Sequence, residues 1–207
     1  NEAFTAVRQA YRQIERAQDV TAIQDPGPEA MLVDPLLPAG VPSVLYGDAD
    51  SGKTWVADAL MIYGAMSRRF PASHGAAGYR SLLIDYEGSE AIFWRRMRRL
   101  ALGMNMDGLP AECIYYWPAR GVPVGDMLDG LARTIRDRAI DLVIVDSAAE
   151  ACGGEPEKAD TATSYFRAMA ALGVTSLTVA HITHLEAAPG KRPQAPFGSR
   201  FWRNTPR

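Results

Sequence analysis

The chain has 207 residues, 47% of them hydrophobic, and a formal net charge of −2 at pH 7. That length suits one α/β domain with a real core, and the near-neutral balance argues against a surface that as a whole attracts nucleic acid or an acidic membrane, while leaving room for a local basic strip. The two cysteines, Cys113 and Cys152, lie far apart in no metal-ligand spacing, and there is no signal peptide and no apolar run long enough to span a bilayer. The expectation is a cytoplasmic protein with free thiols and no membrane partner.

Residues 1–18 read as an amphipathic helix, with Phe4, Val7, Tyr11 and Ile14 on one stripe and Arg8, Arg12, Glu15 and Arg16 elsewhere. Residues 19–30 form a linker broken by Pro26-Gly27-Pro28, which sets an N-terminal segment, 1–30, apart from a main domain, 31–207. Strands are predicted at 41–46, 80–86, 113–117, 141–146 and 176–182. Helices are predicted at 53–68, 89–102, 124–138 and 157–172. This alternation predicts an α/β fold, a mostly parallel sheet flanked by helices. From Thr183 the pattern becomes loop, and no closing element precedes Arg207, so the domain is expected to be cut short or to continue.

Between the first strand and the first helix stands Gly47-Asp48-Ala49-Asp50-Ser51-Gly52-Lys53-Thr54, a complete phosphate-binding loop. Wrapping a triphosphate requires glycines that let backbone N–H groups approach, a lysine for the β- and γ-phosphates, and a hydroxyl for Mg²⁺. The helix that starts there turns its positive end to the phosphates. Gly47 to Thr54 and the adjacent Trp55 are therefore the candidate ATP-binding residues. Asp146 ends an apolar strand two βα units later and is the candidate partner of Thr54 in holding Mg²⁺. Ser147 follows it, where many ATPases place their acid. The general base must then come from elsewhere. Glu87, at the end of the strand after the loop's helix, is the first choice; Asp85 is the fallback and Glu150 a weaker candidate. A purely structural reading has Glu87 capping the helix near Ser89. His181 ends the last predicted strand, either as a γ-phosphate sensor or as a core histidine; a zinc pair with His184 lacks further ligands. The tail 183–207 combines Lys191, Arg192, Arg200, Arg203 and Arg207 with Phe197, Phe201 and Trp202, a composition suited to single-stranded DNA or to a solvated loop. The cluster Arg95, Arg96, Arg98 and Arg99 goes round its helix and reads as solvated surface or subunit contact.

In order along the chain, Leu36-Leu37-Pro38-Ala39-Gly40, the phosphate loop, Ile84-Asp85-Tyr86-Glu87, Val143-Ile144-Val145-Asp146-Ser147, Val179-Ala180-His181 and Pro196-Phe197-Gly198-Ser199 resemble the RecA-fold ATPases. The likeness is greatest to the phage and plasmid AAA ATPases of the RepA and DnaB replicative helicase type. The resemblance implies a RecA-like domain that hydrolyses ATP with Mg²⁺, with Glu87 activating water and His181 sensing the γ-phosphate. It further implies a homo-oligomer, a hexameric ring, in which an arginine such as Arg207 completes a neighbour's site. A DNA-dependent helicase is the leading expectation. A RecA-like regulatory or recombination ATPase without unwinding, and a small-molecule kinase, are the competing ones.

Overall fold

A computed structural model describes residues 21, 27, 29–66, 78–109, 111–182, 196–198 and 201–204. Strand β1 (Met31–Val33) and strand β2 (Leu37–Pro38) pair antiparallel in a small hairpin. Next come β3 (Pro42–Gly47), α1 (Lys53–Ala65), β4 (Ser81–Asp85), α2 (Glu90–Gly103) and β5 (Ile114–Pro118). A 3-10 turn, Val124–Met127, leads into α3 (Leu128–Arg138) and β6 (Leu142–Asp146). The short α4 (Ala148–Ala151), then α5 (Ala159–Ala171) and β7 (Thr175–His181), complete the regular core. A 3-10 turn at Pro196–Gly198 and a short helix, α6 (Phe201–Asn204), follow. The chain divides into two units, Asn1–Ala30 and Met31–Arg207; the predicted 1–18 helix lies outside the described residues.

The five main strands run parallel in the order β3-β7-β6-β4-β5. This is the RecA-like arrangement: the strand leading to the phosphate loop and the strand ending in Asp146 are separated by β7. Strands β4 and β6 are buried along their whole length, as an apolar strand covered on both faces by helices must be. Alternate residues divide between two cores. Leu83, Ile144, Leu177 and Val179 pack with Ala57, Leu60 and Met61 of α1 and Phe93 and Met97 of α2. Leu82, Ile84, Val143 and Val145 pack with Leu131 of α3, Tyr165, Phe166 and Met169 of α5, and Trp202 of α6. Both cores pack against the strands, and the predicted site residues Gly47, Lys53, Thr54, Asp85, Glu87, Asp146 and His181 sit on or just beyond the strand ends.

Two parts of the tail differ from the sequence expectation. Phe197 and Trp202 are not offered to a ligand: they are 4% and 0% exposed and belong to the core. The Trp202 ring packs edge-to-face on Phe166 and Phe197 and tilted on Tyr165, at centroid distances of 5.2–5.3 Å. Its Nε1 donates to the Pro156 carbonyl at 2.6 Å, which satisfies the one polar atom an indole buries. Of the three tail aromatics only Phe201 stays exposed. Arg207 and the basic residues from 183 to 195 lie outside the described residues. The β1–β2 hairpin was not expected either; its strands are two and three residues long, too short to show a period.

Candidate active site

The phosphate loop turns between β3 and α1 with Asp50 and Gly52 at positive φ, 57° and 86°. Glycine at the second position meets the left-handed backbone without steric cost. Helix α1 starts at Gly52 with no side-chain cap and no acid in its first turn, so its positive end is free for an anion. Lys53 is 7% exposed, and its Nζ donates to the carbonyls of Gly47 and Asp48 at 3.0 and 2.6 Å. A buried ammonium held by two neutral carbonyls and, more weakly, by the Ser51 hydroxyl is placed to exchange them for phosphate oxygens. Trp55 is 40% exposed on the first turn.

Thr54 Oγ1 donates to Asp146 Oδ2 at 2.8 Å, across 92 positions of sequence. The other carboxylate oxygen of Asp146 is buried with no hydrogen-bond partner. Burial pushes the Asp146 carboxyl above the usual carboxylate range; the Thr54 hydroxyl opposes that and the neighbouring charges of Glu87 and Asp85 add to it. A buried, orphaned carboxylate oxygen next to a threonine hydroxyl fits a hard divalent cation bound with a triphosphate. Thr54 and Asp146 are the residues that would hold Mg²⁺ here. When bound, the cation would neutralise charge on the β- and γ-phosphate oxygens.

Across the sheet Asp85 and Asp146 are register partners on β4 and β6. Both carboxylate oxygens of Asp85 are engaged in hydrogen bonds. Its Oδ1 accepts from the backbone N–H groups of Glu87 and Gly88 at 3.1 and 2.8 Å, and its Oδ2 accepts from the Tyr116 hydroxyl at 3.0 Å. Burial and the Asp85 contact push the Tyr116 phenol up to about 12, so it remains a donor. Asp85 is thus the organiser of the turn that carries Glu87. A Cβ at Gly88 would stand 2.6 Å from Asp85 Oδ2, so the close approach requires glycine. Arg120, beyond β5, donates from Nη2 to the Gly88 carbonyl at 2.7 Å and braces the same turn.

Glu87 itself points elsewhere. Its Oε1 accepts a short hydrogen bond from the Ser147 hydroxyl and lies 3.5 Å from His181 Nε2. The helix-capping alternative fails for Glu87, because Ser89 fills that role, accepting from the Ile92 N–H at 3.4 Å. His181 is not a core histidine: its side chain is 38% exposed at the end of β7, with Gly47 of the phosphate loop as its register partner on β3. The structure therefore brings Gly47, Lys53, Thr54, Asp146, Glu87 and His181 to one edge of one sheet. Glu150, on α4, is exposed and makes no hydrogen bond or ion pair with them among the described contacts.

Residues 8–187 match a family model described as an AAA domain. The chain belongs to that family. No curated protein matches it. An AAA domain with this loop, this sheet order and this edge is a P-loop ATPase, and nucleotide binding follows from the family as well as from the loop. No helix among the described residues of the AAA domain is long and apolar enough to cross a membrane.

Four contributors to the site are not legible in the sequence. In the sequence Ser147 stands only as a missing acid, Tyr116 only as part of a strand, Arg96 as solvated surface or subunit contact, and Arg120 carries no signal. Arg96 instead pairs through Nε with Asp58 Oδ2 at 2.7 Å, and Asp58 is 1% exposed. The pair ties the phosphate-loop helix α1 to α2, the helix that follows Glu87. The available signal was the spacing Thr54 to Asp58, which puts both on one face of α1 and should have marked a carboxylate facing inward.

Proposed function

We propose that this chain hydrolyses ATP with Mg²⁺ and couples hydrolysis to binding or moving along DNA, as one subunit of a ring. The observation that carries the hydrolytic part is the convergence at one sheet edge of a phosphate loop, a Thr54–Asp146 pair, and a half-exposed Glu87 beside His181. In this reading Glu87 accepts the proton of a water whose oxygen attacks the γ-phosphorus, while the bond to the β-phosphate oxygen breaks and ADP leaves. Lys53 balances the negative charge that builds on the transferred group. His181 stands between Glu87 and β3, so it is placed to exchange its contact with the carboxylate for one with the γ-phosphate and to report phosphate loss to the chain after Ile182.

The ring and the DNA rest on other support. The sequence resembles replicative ring ATPases, an amphipathic 1–18 segment precedes the domain, and the segment Asn204-Thr205-Pro206-Arg207 resembles the place where that family carries its trans arginine. Trp55 and Val56, 40% and 48% exposed beside the loop, suit a surface that a neighbouring subunit covers. A RecA-like ATPase without unwinding activity is the second reading, favoured by the burial of Phe197 and Trp202, which removes two of the three tail aromatics from contact with bases. ATPase rate with and without single-stranded DNA, measured alongside mass in solution, tests the proposal. Stimulation by DNA in a concentration-dependent oligomer is expected; a monomer whose rate ignores both DNA and protein concentration would overturn the coupled reading. Strand displacement separates the two readings.

A further inference from the structure

Glu87 is the least constrained group of the site. Its side chain is 46% exposed, so packing does not set its direction. The hydrogen bonds from Asp85 fix the backbone of the turn but leave the carboxylate free to swing. One buried donor reaches it. Ser147, 1% exposed and the residue immediately after Asp146, gives its hydroxyl hydrogen to Glu87 Oε1.

The direction of that bond follows from the sheet. Glu87 extends from β4, whose neighbours are β5 on one side and β6 on the other. Beyond β6 come β7, with His181 at its end, and then β3 with the phosphate loop. An unrestrained glutamate at this point has three choices: outward to solvent, back over β5 toward the Arg120 guanidinium, or across β6 toward the nucleotide. The serine hydroxyl at the end of β6 selects the third. His181 Nε2 faces the same oxygen from one strand further on, which draws the carboxylate the same way. With Oε1 engaged, Oε2 is the oxygen left to take a proton.

We propose that Ser147 is the positioning residue of the general base: its hydroxyl holds Glu87 across the end of β6, aimed at the phosphate loop, and continues to hold it when His181 turns to a phosphate. The proposal rests on the assignment of Glu87 as the base. It also gives a physical reason for serine where many ATPases carry an acid. The base comes from the adjacent strand, and a second carboxylate beside Asp146 and Glu87 would repel both, whereas a hydroxyl donates to one of them.

A positioning residue acts only through the group it positions, and this separates it from a structural one. Ser147→Ala should lower kcat on the order of 10-fold to 10²-fold, the scale of a misaimed catalytic group. Affinity for a fluorescent ATP analogue and the melting temperature should stay near the parent values. In a Glu87→Gln background the same serine change should cost nothing further, read on the residual rate with radiolabelled ATP. Should the alanine variant fold poorly, Ser147→Cys, similar in size with a much weaker donor, carries the same comparison. An unchanged or increased kcat in the single variant overturns the proposal, as does an equal fold-loss in both backgrounds. If Glu87→Gln itself keeps full activity, the assignment of the base falls first; if Glu87→Gln is inactive and the serine variants are not impaired, only the role of Ser147 falls.

Discussion

The sheet edge carries two regions built in opposite ways. The phosphate loop is local: Gly47 to Thr54 are consecutive, a single turn between β3 and α1 shapes them, and Lys53 is held by carbonyls of its own loop. The carboxylate region is assembled: Glu87 follows β4, Ser147 follows β6, His181 ends β7, and Tyr116 and Arg120 come from β5 and beyond it. The first region tolerates small shifts between strands because its parts move together. The second is correct only while the register Asp85↔Asp146 and Gly47↔His181 is kept. In the proposed function, binding thereby falls to a local element and the proton-transfer step to one assembled across strands.

The greatest expected effect tests the local region. Lys53→Ala should lower turnover on the order of 10³-fold and weaken ATP binding, because a charged phosphate contact that strengthens as charge builds in the transition state is lost. Circular dichroism should show the fold intact, since Lys53 bonds only to its own loop and the adjacent Ser51. Near-parental turnover would show that the loop does not bind the reacting phosphate.

Asp58 and Arg96 join the two regions, and their test is one of stability against pH. Burial pushes the Asp58 carboxyl from 3.8 up to about 6, against the opposing effect of Arg96. On unfolding the group regains its ordinary value, so the folded state holds this proton more tightly. The contribution of Asp58 to stability is then fully present below about pH 4 and declines as pH rises through 6. The decline amounts to about 3 kcal/mol at 1.36 kcal/mol per pH unit. Urea unfolding of the parent and of Asp58→Asn, compared from pH 4 to 7.5, should show the gap between them moving against the parent by about that amount. A gap that does not vary with pH would mean that Asp58 is ionised throughout, held by Arg96.

The same division decides what a single sequence discloses. The strands were legible because apolar runs such as Leu142–Val145 end abruptly in an acid, and the phosphate loop because its residues are contiguous. Most boundaries agree within a residue or two; the predicted helix at 53–68 is described to Ala65, with Met66 as its cap, and the one predicted at 124–138 opens as a 3-10 turn, Val124–Met127, before α3 begins at Leu128. What needs register was hidden. Nothing local in Asp85 says that it accepts from the turn and from a tyrosine on β5, and nothing in Ser147 says that Glu87 stands beside it. Trp202 is hidden for another reason: a short helix of four residues carries no periodicity, so an aromatic among arginines reads as a nucleic-acid contact or a solvated loop when it fills the core under α5. Arg96 misled similarly, because its partner is on a different helix.

In the assembled region, Glu87→Gln should separate binding from chemistry. The amide keeps the shape and can still accept from Ser147, but it cannot take a proton. ATP and Mg²⁺ binding should therefore survive while turnover falls about 10²-fold, at the lower end of what a general base contributes. Asp85→Asn and Glu150→Gln complete the comparison, the former expected to lose stability and the latter to change little. Activity lost with Glu150→Gln and kept with Glu87→Gln would move the base to α4.

The smallest expected effect lies at the outer margin of that region. Tyr116→Phe deletes one hydroxyl, the donor to Asp85 Oδ2 at 3.0 Å, and leaves the ring stacked on Phe93 at 5.2 Å. Asp85 is 3% exposed, so the oxygen that loses its donor is not readily rehydrated. A hydrogen bond to a charged group contributes about 1.5–3 kcal/mol, and the two backbone N–H groups that Asp85 keeps on its other oxygen should hold the loss near the lower figure. Asp85 also holds the Glu87 and Gly88 N–H groups through its other oxygen, so a carboxylate freed on one side loosens the turn on the other. Turnover should fall a few-fold, to about a tenth at most by the arithmetic of 1.4 kcal/mol per decade. ATP affinity should not change, because the phosphate loop shares no hydrogen bond with Tyr116 among the described residues. Equal losses of binding and turnover would instead mean that β5 and the loop move as one body, and that the division between a local and an assembled region is not how this sheet edge works.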